Sequence, residues 1–195
     1  VMVFSDNVSL EEEIALKRLA VSKGLLMMGP DCGTAIINGK PLCFANSVRR
    51  GAIGVVAASG TGLQEVTSTI HRLGCGITQA IGVGGRDLSE KIGGKMTIMA
   101  TKALIEDLET KVIVLVSKPP AESVLKNLMS EIKNANKPVV IYFIGADPKL
   151  IEAQGFTAAK NLEDAAVQAC KLSTGKSYEP EFSDAKIDEM SKKIK

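Results

Sequence analysis

A single histidine, His71, serves all 195 residues, and that shortage limits the chemistry more than any other. A zinc centre needs more ligands than one imidazole, and the four cysteines, Cys32, Cys43, Cys75 and Cys170, form no Cys-x-x-Cys pair. No structural metal is expected. Nor is a disulfide framework, because a chain that is 45% hydrophobic can build a core without staples, and the cysteines read as free, buried thiols. Tryptophan is absent and tyrosine occurs twice, which leaves little for base stacking, and a net charge of +2 without a basic block removes the electrostatic case for nucleic acid. No apolar run reaches membrane-spanning length and no signal-peptide pattern is present, so no membrane partner is expected and the chain reads as cytosolic. The phosphate loop Gly-x-x-x-x-Gly-Lys-Ser/Thr and the dinucleotide fingerprint are also missing.

What is present is strand and helix in alternation. Val1-Met2-Val3-Phe4 is a strand pattern, and Ser9-Leu10-Glu11-Glu12 sets a capping box for a helix carrying Ile14, Leu19 and Ala20 on one side. This opening unit looks like the last strand and helix of a preceding α/β domain. Leu25 to Met28 is a short buried-strand candidate, and residues 29–50 read as a loop and connector with brief extended pieces. From Ile53 to Ala58 an apolar run suits a strand buried on both faces, and Leu63, Val66, Ile70 and Leu73 recur at helical spacing. Further strands are predicted at 76–83, 112–116 and 139–144. The helices between them are marked by Met96 to Leu108 and by a start at Pro119-Pro120. An edge strand and a last helix follow over 155–173, then a charged tail or linker from Lys176, with at most a marginal helix. The fold class is α/β, a doubly wound parallel sheet of the flavodoxin-like kind.

In such sheets ligands bind at the carboxyl ends of the strands. Three loops there are rich in glycine: Ser59-Gly60-Thr61-Gly62, Gly82-Val83-Gly84-Gly85-Arg86-Asp87 and Gly145-Ala146-Asp147-Pro148. The first suits a small anion, because glycines let backbone N–H groups approach, Ser59 and Thr61 add hydroxyls, and a helix N-terminus favours negative charge. The same residues are also good turn and cap formers. Arg86 could clamp a carboxylate or phosphate, and Asp87 could orient it or accept a proton. Candidate binding residues are thus Ser59, Gly60, Thr61, Gly62, Gly84, Gly85, Arg86 and Asp87, with Ser59, Thr61 and Arg86 as catalytic candidates.

The order of these motifs carries a resemblance over roughly residues 1–170. Gly29-Pro30-Asp31-Cys32, Gly54 to Thr61 and Gly82 to Gly85 are similar to stretches of the α subunit of succinyl-CoA synthetase and of the NDP-forming acyl-CoA synthetases. Met28 to Ile36, Ala58 to Val66 and Gly84 to Ser89 more closely resemble the FdrA family. The resemblance implies a ligase domain over 51–175 and an active-site loop and connector over 29–50. Residues 1–28 would be the remnant of a Rossmann CoA-binding domain. It also implies possible CoA binding, with Gly29, Pro30, Asp31 and Cys32 near the thioester end, and an oligomer with other subunits of a complex.

Departures from that pattern matter as much. The synthetases carry a phosphorylated histidine in a Gly-His-Ala-Gly loop after the fourth strand, where this chain has Gly145-Ala146-Asp147-Pro148-Lys149. Their acidic residue after the third strand is replaced by Ser117-Lys118-Pro119-Pro120, and His71 lies well past the first turn of its helix. A cradle without the phosphorylated nucleophile suits direct transfer of an acyl or carbamoyl group between a small carboxylate or amide and phosphate. For FdrA-type proteins, family association with purine and allantoin breakdown suggests carbamoyl phosphate and oxamate. Lys118 would add positive charge there if it pointed inward. The alternatives are a subunit of an NDP-forming acyl-CoA synthetase and a non-catalytic CoA- or anion-binding regulatory subunit.

Overall fold

In a computed structural model, which describes residues 1–180 and 184–193, Ser9 caps the first helix, α1 (Leu10–Ser22), by the reciprocal contacts its sequence predicts. Ser9 Oγ accepts the Glu12 N–H at 3.2 Å and Glu12 Oε2 accepts the Ser9 N–H at 2.9 Å. The face that α1 buries is not the expected one. Glu13, Lys17 and Ala20 are buried, whereas Ile14 is half-buried and Leu19 exposed. The segments at Val1–Val3 and Met28 lie parallel: the Val3 N–H reaches Met28 O and the Met28 N–H reaches Val1 O, both at 2.8 Å.

Residues expected to be a connector form a hairpin, β1 (Thr34–Ile37) and β2 (Lys40–Cys43). Asn38 and Gly39 turn it with φ of 50° and 71°, the left-handed pair that a two-residue hairpin turn requires. Thereafter β3 (Arg50–Ala57), α2 (Gly60–Arg72), β4 (Ile77–Gly82), α3 (Lys95–Glu106), β5 (Val112–Ser117), α4 (Glu122–Ile132), β6 (Val139–Phe143), α5 (Pro148–Glu152), β7 (Thr157–Ala158) and α6 (Leu162–Thr174) follow in order. The expected tail from Lys176 holds α7 (Asp184–Lys193), and its residues 181–183 and 194–195 lie outside the described residues.

The seven strands form one sheet in the order β2-β1-β4-β3-β5-β6-β7. Strands β3 to β7 pair parallel as expected, while the hairpin joins antiparallel to β4, which makes the sheet mixed. Leu63, Val66 and Ile70 of α2 and the alanines of α6 pack on one face; Met96, Ala100 and Leu104 of α3 and Leu125, Leu128 and Ile132 of α4 pack on the other. Both faces are covered, which explains the unbroken apolar runs of β3 and β5. Leu108 falls beyond the end of α3 and is 97% exposed. Cys43 is exposed, not buried as expected, because it ends the solvent-facing outer strand of the hairpin. Helix α4 begins at Glu122, two residues after the prolines.

This order puts a switch point beside β3: the chain leaves β3 for β4 on one side and returns to β5 on the other. Loops after β3 and β5 therefore diverge and leave a crevice at their carboxyl ends.

Candidate functional site

A cavity of about 510 Å³ occupies that crevice. Ala58, Ser59, Gly60, Thr61 and Gln64 line it from the β3–α2 junction, Gly85 from the loop after β4, and Lys118 from the loop after β5. The remaining wall comes from the amino-terminal half: Phe4 to Asp6, Asp31, Gly33, Thr34 and Phe44. Ser59 is the N-cap of α2, and its Oγ accepts the Gly62 N–H at 3.2 Å and lies 3.2 Å from Thr61 Oγ1. That cap satisfies one of the donors that open a helix; the N–H groups of Gly60 and Thr61 have no acceptor within the helix. Two hydroxyls and two open N–H groups thus meet at the positive end of a helix dipole, an arrangement able to hold a small oxyanion. A second, smaller cavity of about 220 Å³, lined by Gly62, Ser117, Tyr142 and Leu162 among others, shares Ser59, Thr61 and Lys118 with the first.

Four of the candidate binding residues do not line the larger cavity: Gly62, which lines the smaller one, Gly84, Arg86 and Asp87. Arg86 does not line it: its Nε pairs with Glu13 Oε2 at 2.7 Å and its guanidinium donates to Val8 O at 2.7 Å, so α1 takes up the donors expected for an anion. Asp87 is fully buried and accepts from Lys17 Nζ at 2.8 Å, from the Met96 and Thr97 N–H groups at 3.3 and 2.9 Å and from the Thr97 hydroxyl at 2.7 Å. It caps α3, whose own N-cap, Gly94, has no side chain for the task. Lys17, itself fully buried, also pairs with Glu13 Oε1 at 2.9 Å and donates to Val83 O at 3.1 Å. These four charges fasten α1 to the loop that carries Gly85.

Beneath the cavity the Gly29–Cys32 loop and the Gly82–Gly85 loop are in close contact. A Cβ on Gly84, whose φ is +87°, would stand 2.3 Å from Pro30 O, and one on Gly29, at φ +93°, would stand 2.3 Å from Val3 O. Gly29 and Pro30 are buried supports, and of this loop only Asp31 reaches the cavity, joined by the following Gly33. Cys32 Sγ faces the Thr34 carbonyl at 3.5 Å, and burial pushes its thiol above the ordinary range, which suits a packing role at neutral pH. Gly145 to Pro148 lie apart from the cavity, where Asp147 caps α5 by accepting the Lys149 N–H at 2.9 Å. His71 sits in the last turn of α2, its Nδ1 accepting the Arg49 N–H at 3.0 Å. Lys118 is exposed and lies at the cavity rim.

Sequence reasoning missed Phe4, Asp6, Thr34, Phe44 and Gln64. Phe4 and Phe44 stand with centroids 5.5 Å apart, planes tilted by 56°, and Gln64 donates to Phe44 O at 2.6 Å. The Asn38-Gly39 pair was the one signal that could have found this wall, since it predicts the hairpin that sets Thr34 and Phe44 beside α2. Among the described residues no group of histidine, cysteine, aspartate and glutamate could hold a metal ion, and no helix is long and apolar enough to cross a membrane.

A largely parallel α/β sheet with a cavity at its switch point is an architecture that binds nucleotide-type ligands, and the chain belongs to the CoA binding domain family, whose model matches residues 48–145. Over 173 residues it is 54% identical to the uncharacterized protein YahF of Escherichia coli, an alignment covering 89% of this chain and 34% of YahF. It is 30% identical over 152 residues to the α subunit of the ADP-forming succinate–CoA ligase of Staphylococcus epidermidis, covering 74% of this chain and 47% of that subunit. Among solved structures, ATP citrate lyase from Methanothrix soehngenii in complex with citrate and coenzyme A superposes with a TM-score of 0.72 at 15% identity, over 100% of this chain and 39% of the lyase. The acetyl-coenzyme A synthetase 1 of Ca. Korarchaeum cryptofilum superposes with a TM-score of 0.67 at 19% identity, over 88% and 42% of the two chains. At these identities the superpositions establish the fold. The chain spans about a third to a half of the length of these relatives.

Proposed function

We propose that this chain is the acyl-CoA-synthetase-like part of an FdrA-type protein, with 51–175 as its ligase-like domain, and that it transfers an acyl or carbamoyl group between a small carboxylate or amide and phosphate without a phosphohistidine. The observation that carries this reading is the hydroxyl-capped end of α2, which opens on a cavity that no histidine lines. In the carbamoyl case the amide nitrogen of oxamate attacks the carbonyl carbon of carbamoyl phosphate. The bond from that carbon to the phosphate oxygen breaks, inorganic phosphate leaves with the electron pair, and the proton lost from nitrogen ends on phosphate. The Gly60 and Thr61 N–H groups and the hydroxyls of Ser59 and Thr61 stabilise charge on the departing phosphate, work that needs no covalent relay. Lys118 at the rim adds positive charge to an arriving anion.

For CoA, the lining of this cavity supports contact with one end of the molecule only. Two carboxylates, Asp6 and Asp31, and a single lysine line it, which suits the uncharged thiol end of a pantetheine arm and disfavours the diphosphate. If CoA binds, its thiol supplies the acceptor of an acyl group, and Asp31 and Phe44 would flank it. Similarity to the succinate–CoA ligase α subunit favours a second reading, a subunit of an NDP-forming acyl-CoA ligase working with other subunits. The test is a carbamoyl-transfer assay of the intact protein with its candidate partner subunits, using carbamoyl phosphate and oxamate. Formation of N-carbamoylated oxamate is the expected result, and absence of product in every pairing sinks it. Phosphorylation of the protein by ATP and Mg²⁺ would instead favour the ligase.

A further inference from the structure

The hydroxyl of Thr34 is a buried residue's polar group that faces the cavity without a protein partner. Thr34 is 4% exposed, lines the cavity, and makes no side-chain hydrogen bond among the described residues. Its Oγ1 lies 3.5 Å from the point where a Cβ on Gly60 would stand, so it faces the open end of α2. The hydroxyl opens onto the cavity with no protein partner, which leaves it free to donate to a ligand oxygen. On another part of the same wall the Asp31 carboxylate, through Oδ2, lies 3.8 Å from the corresponding point on Gly85. Its backbone is held in place, with the Asp31 N–H on Ser5 O at 2.9 Å and the following N–H, of Cys32, on Val3 O at 3.2 Å. A site meant only for anions would gain nothing from a carboxylate on its wall; a ligand that presents N–H donors there turns the repulsion into a charge-assisted hydrogen bond.

We propose that Thr34 and Asp31 are substrate-reading residues: Thr34 completes the oxyanion cradle at α2, and Asp31 accepts from the amide N–H groups of the transferred unit. This rests on the transfer reading above and narrows it, selecting the carbamoyl group over the isosteric acetyl group. Asp31 is itself exposed, so the preference arises when the ligand seats: a methyl of the same shape displaces water from the carboxylate without replacing its hydrogen bond, and an N–H replaces it.

The test is isothermal titration calorimetry of the full chain with two stable phosphonates that differ only in NH₂ against CH₃, phosphonoacetamide and acetonylphosphonate. The wild type is expected to bind the amide more tightly by about tenfold or more, as for a hydrogen bond to a charged group. Asp31→Ala is expected to bring the two affinities within about twofold of one another. Thr34→Val, which keeps the shape, is expected to weaken both phosphonates by about fivefold and leave their ratio unchanged. Equal binding of the two phosphonates by the wild type overturns the selection by Asp31 while leaving the cradle and the transfer reading standing. Binding of neither overturns both. The expected ratios together with no product in the transfer assay would uphold the recognition wall and defeat the transfer reading alone.

Discussion

Replacing Lys17 by methionine tests whether the buried charges hold α1 to the rest of the domain. The ammonium is fully buried and touches Glu13 Oε1 at 2.9 Å, Asp87 Oδ1 at 2.8 Å and Val83 O at 3.1 Å. Methionine preserves most of the volume, so the loss is electrostatic. Removing one partner of a buried pair costs about 3–5 kcal/mol. Asp87 keeps its three donors from α3, but Glu13, 1% exposed, retains only Arg86. The low end, about 3 kcal/mol, is therefore expected, and for a chain of this size it corresponds to a fall in Tm of about 6–12 °C. The double variant Lys17→Met/Glu13→Leu removes the stranded carboxylate and leaves Arg86, whose side chain is 42% exposed, free to turn to solvent. It should recover at least half of the loss, since replacing a whole buried ion set by apolar groups is often neutral. Urea unfolding followed by far-UV circular dichroism is the assay, because the chain has no tryptophan to report by fluorescence. A single variant within about 1 kcal/mol of wild type, or a double no better than the sum of its singles, would refute the reasoning.

Gly84→Ala should be among the most damaging single-methyl additions, because the new Cβ would lie 2.3 Å from Pro30 O on a backbone at φ +87°; a loss of several degrees in Tm and weaker phosphonate binding are expected. Ser59→Ala removes the cap of α2 and should cost about 1 kcal/mol by urea unfolding, with a further loss of anion affinity. His71→Asn should leave the transfer rate unchanged and should not alter labelling by radioactive ATP, since His71 serves the Arg49 N–H at the far end of α2. Alkylation read by mass spectrometry should modify exposed Cys43 first and Cys32 and Cys170 last. Burial raises both of the latter thiols and keeps them protonated at neutral pH, so their modification should accelerate only as the solution is made strongly alkaline.

The parallel core was legible because β3 and β5 are covered on both faces, so their residues had to be apolar without interruption. The cap at Ser59 was legible for a local reason too, since capping acts over three residues. What escaped reading was long-range. Lys17 and Asp87 meet across 70 positions, and an amphipathic pattern that assigns charges to solvent turns α1 the wrong way round. Arg86 was misassigned by the same logic: an arginine beside glycines at a strand end suggests an anion, but nothing local shows that Glu13 occupies it. Thr34 lies within the Met28–Ile36 run, but nothing local marks its hydroxyl as a site, and it joins the cavity because the hairpin sets β1 against β4.

The buried charges also determine where the cavity can breathe. Phe4 to Asp6 reach it from the segment that leads into α1, and moving that wall away would pull Lys17 and Glu13 off Asp87 and Arg86 into water with their partners left behind. The hairpin wall has no such buried ion set: β2 is exposed along its length, and its end is held by the Phe44 N–H on Gly33 O at 2.9 Å and by Gln64 on Phe44 O at 2.6 Å. Any widening of the cavity is therefore expected first on the Phe44 side, with the half of the rim nearest α1 acting as the fixed jamb.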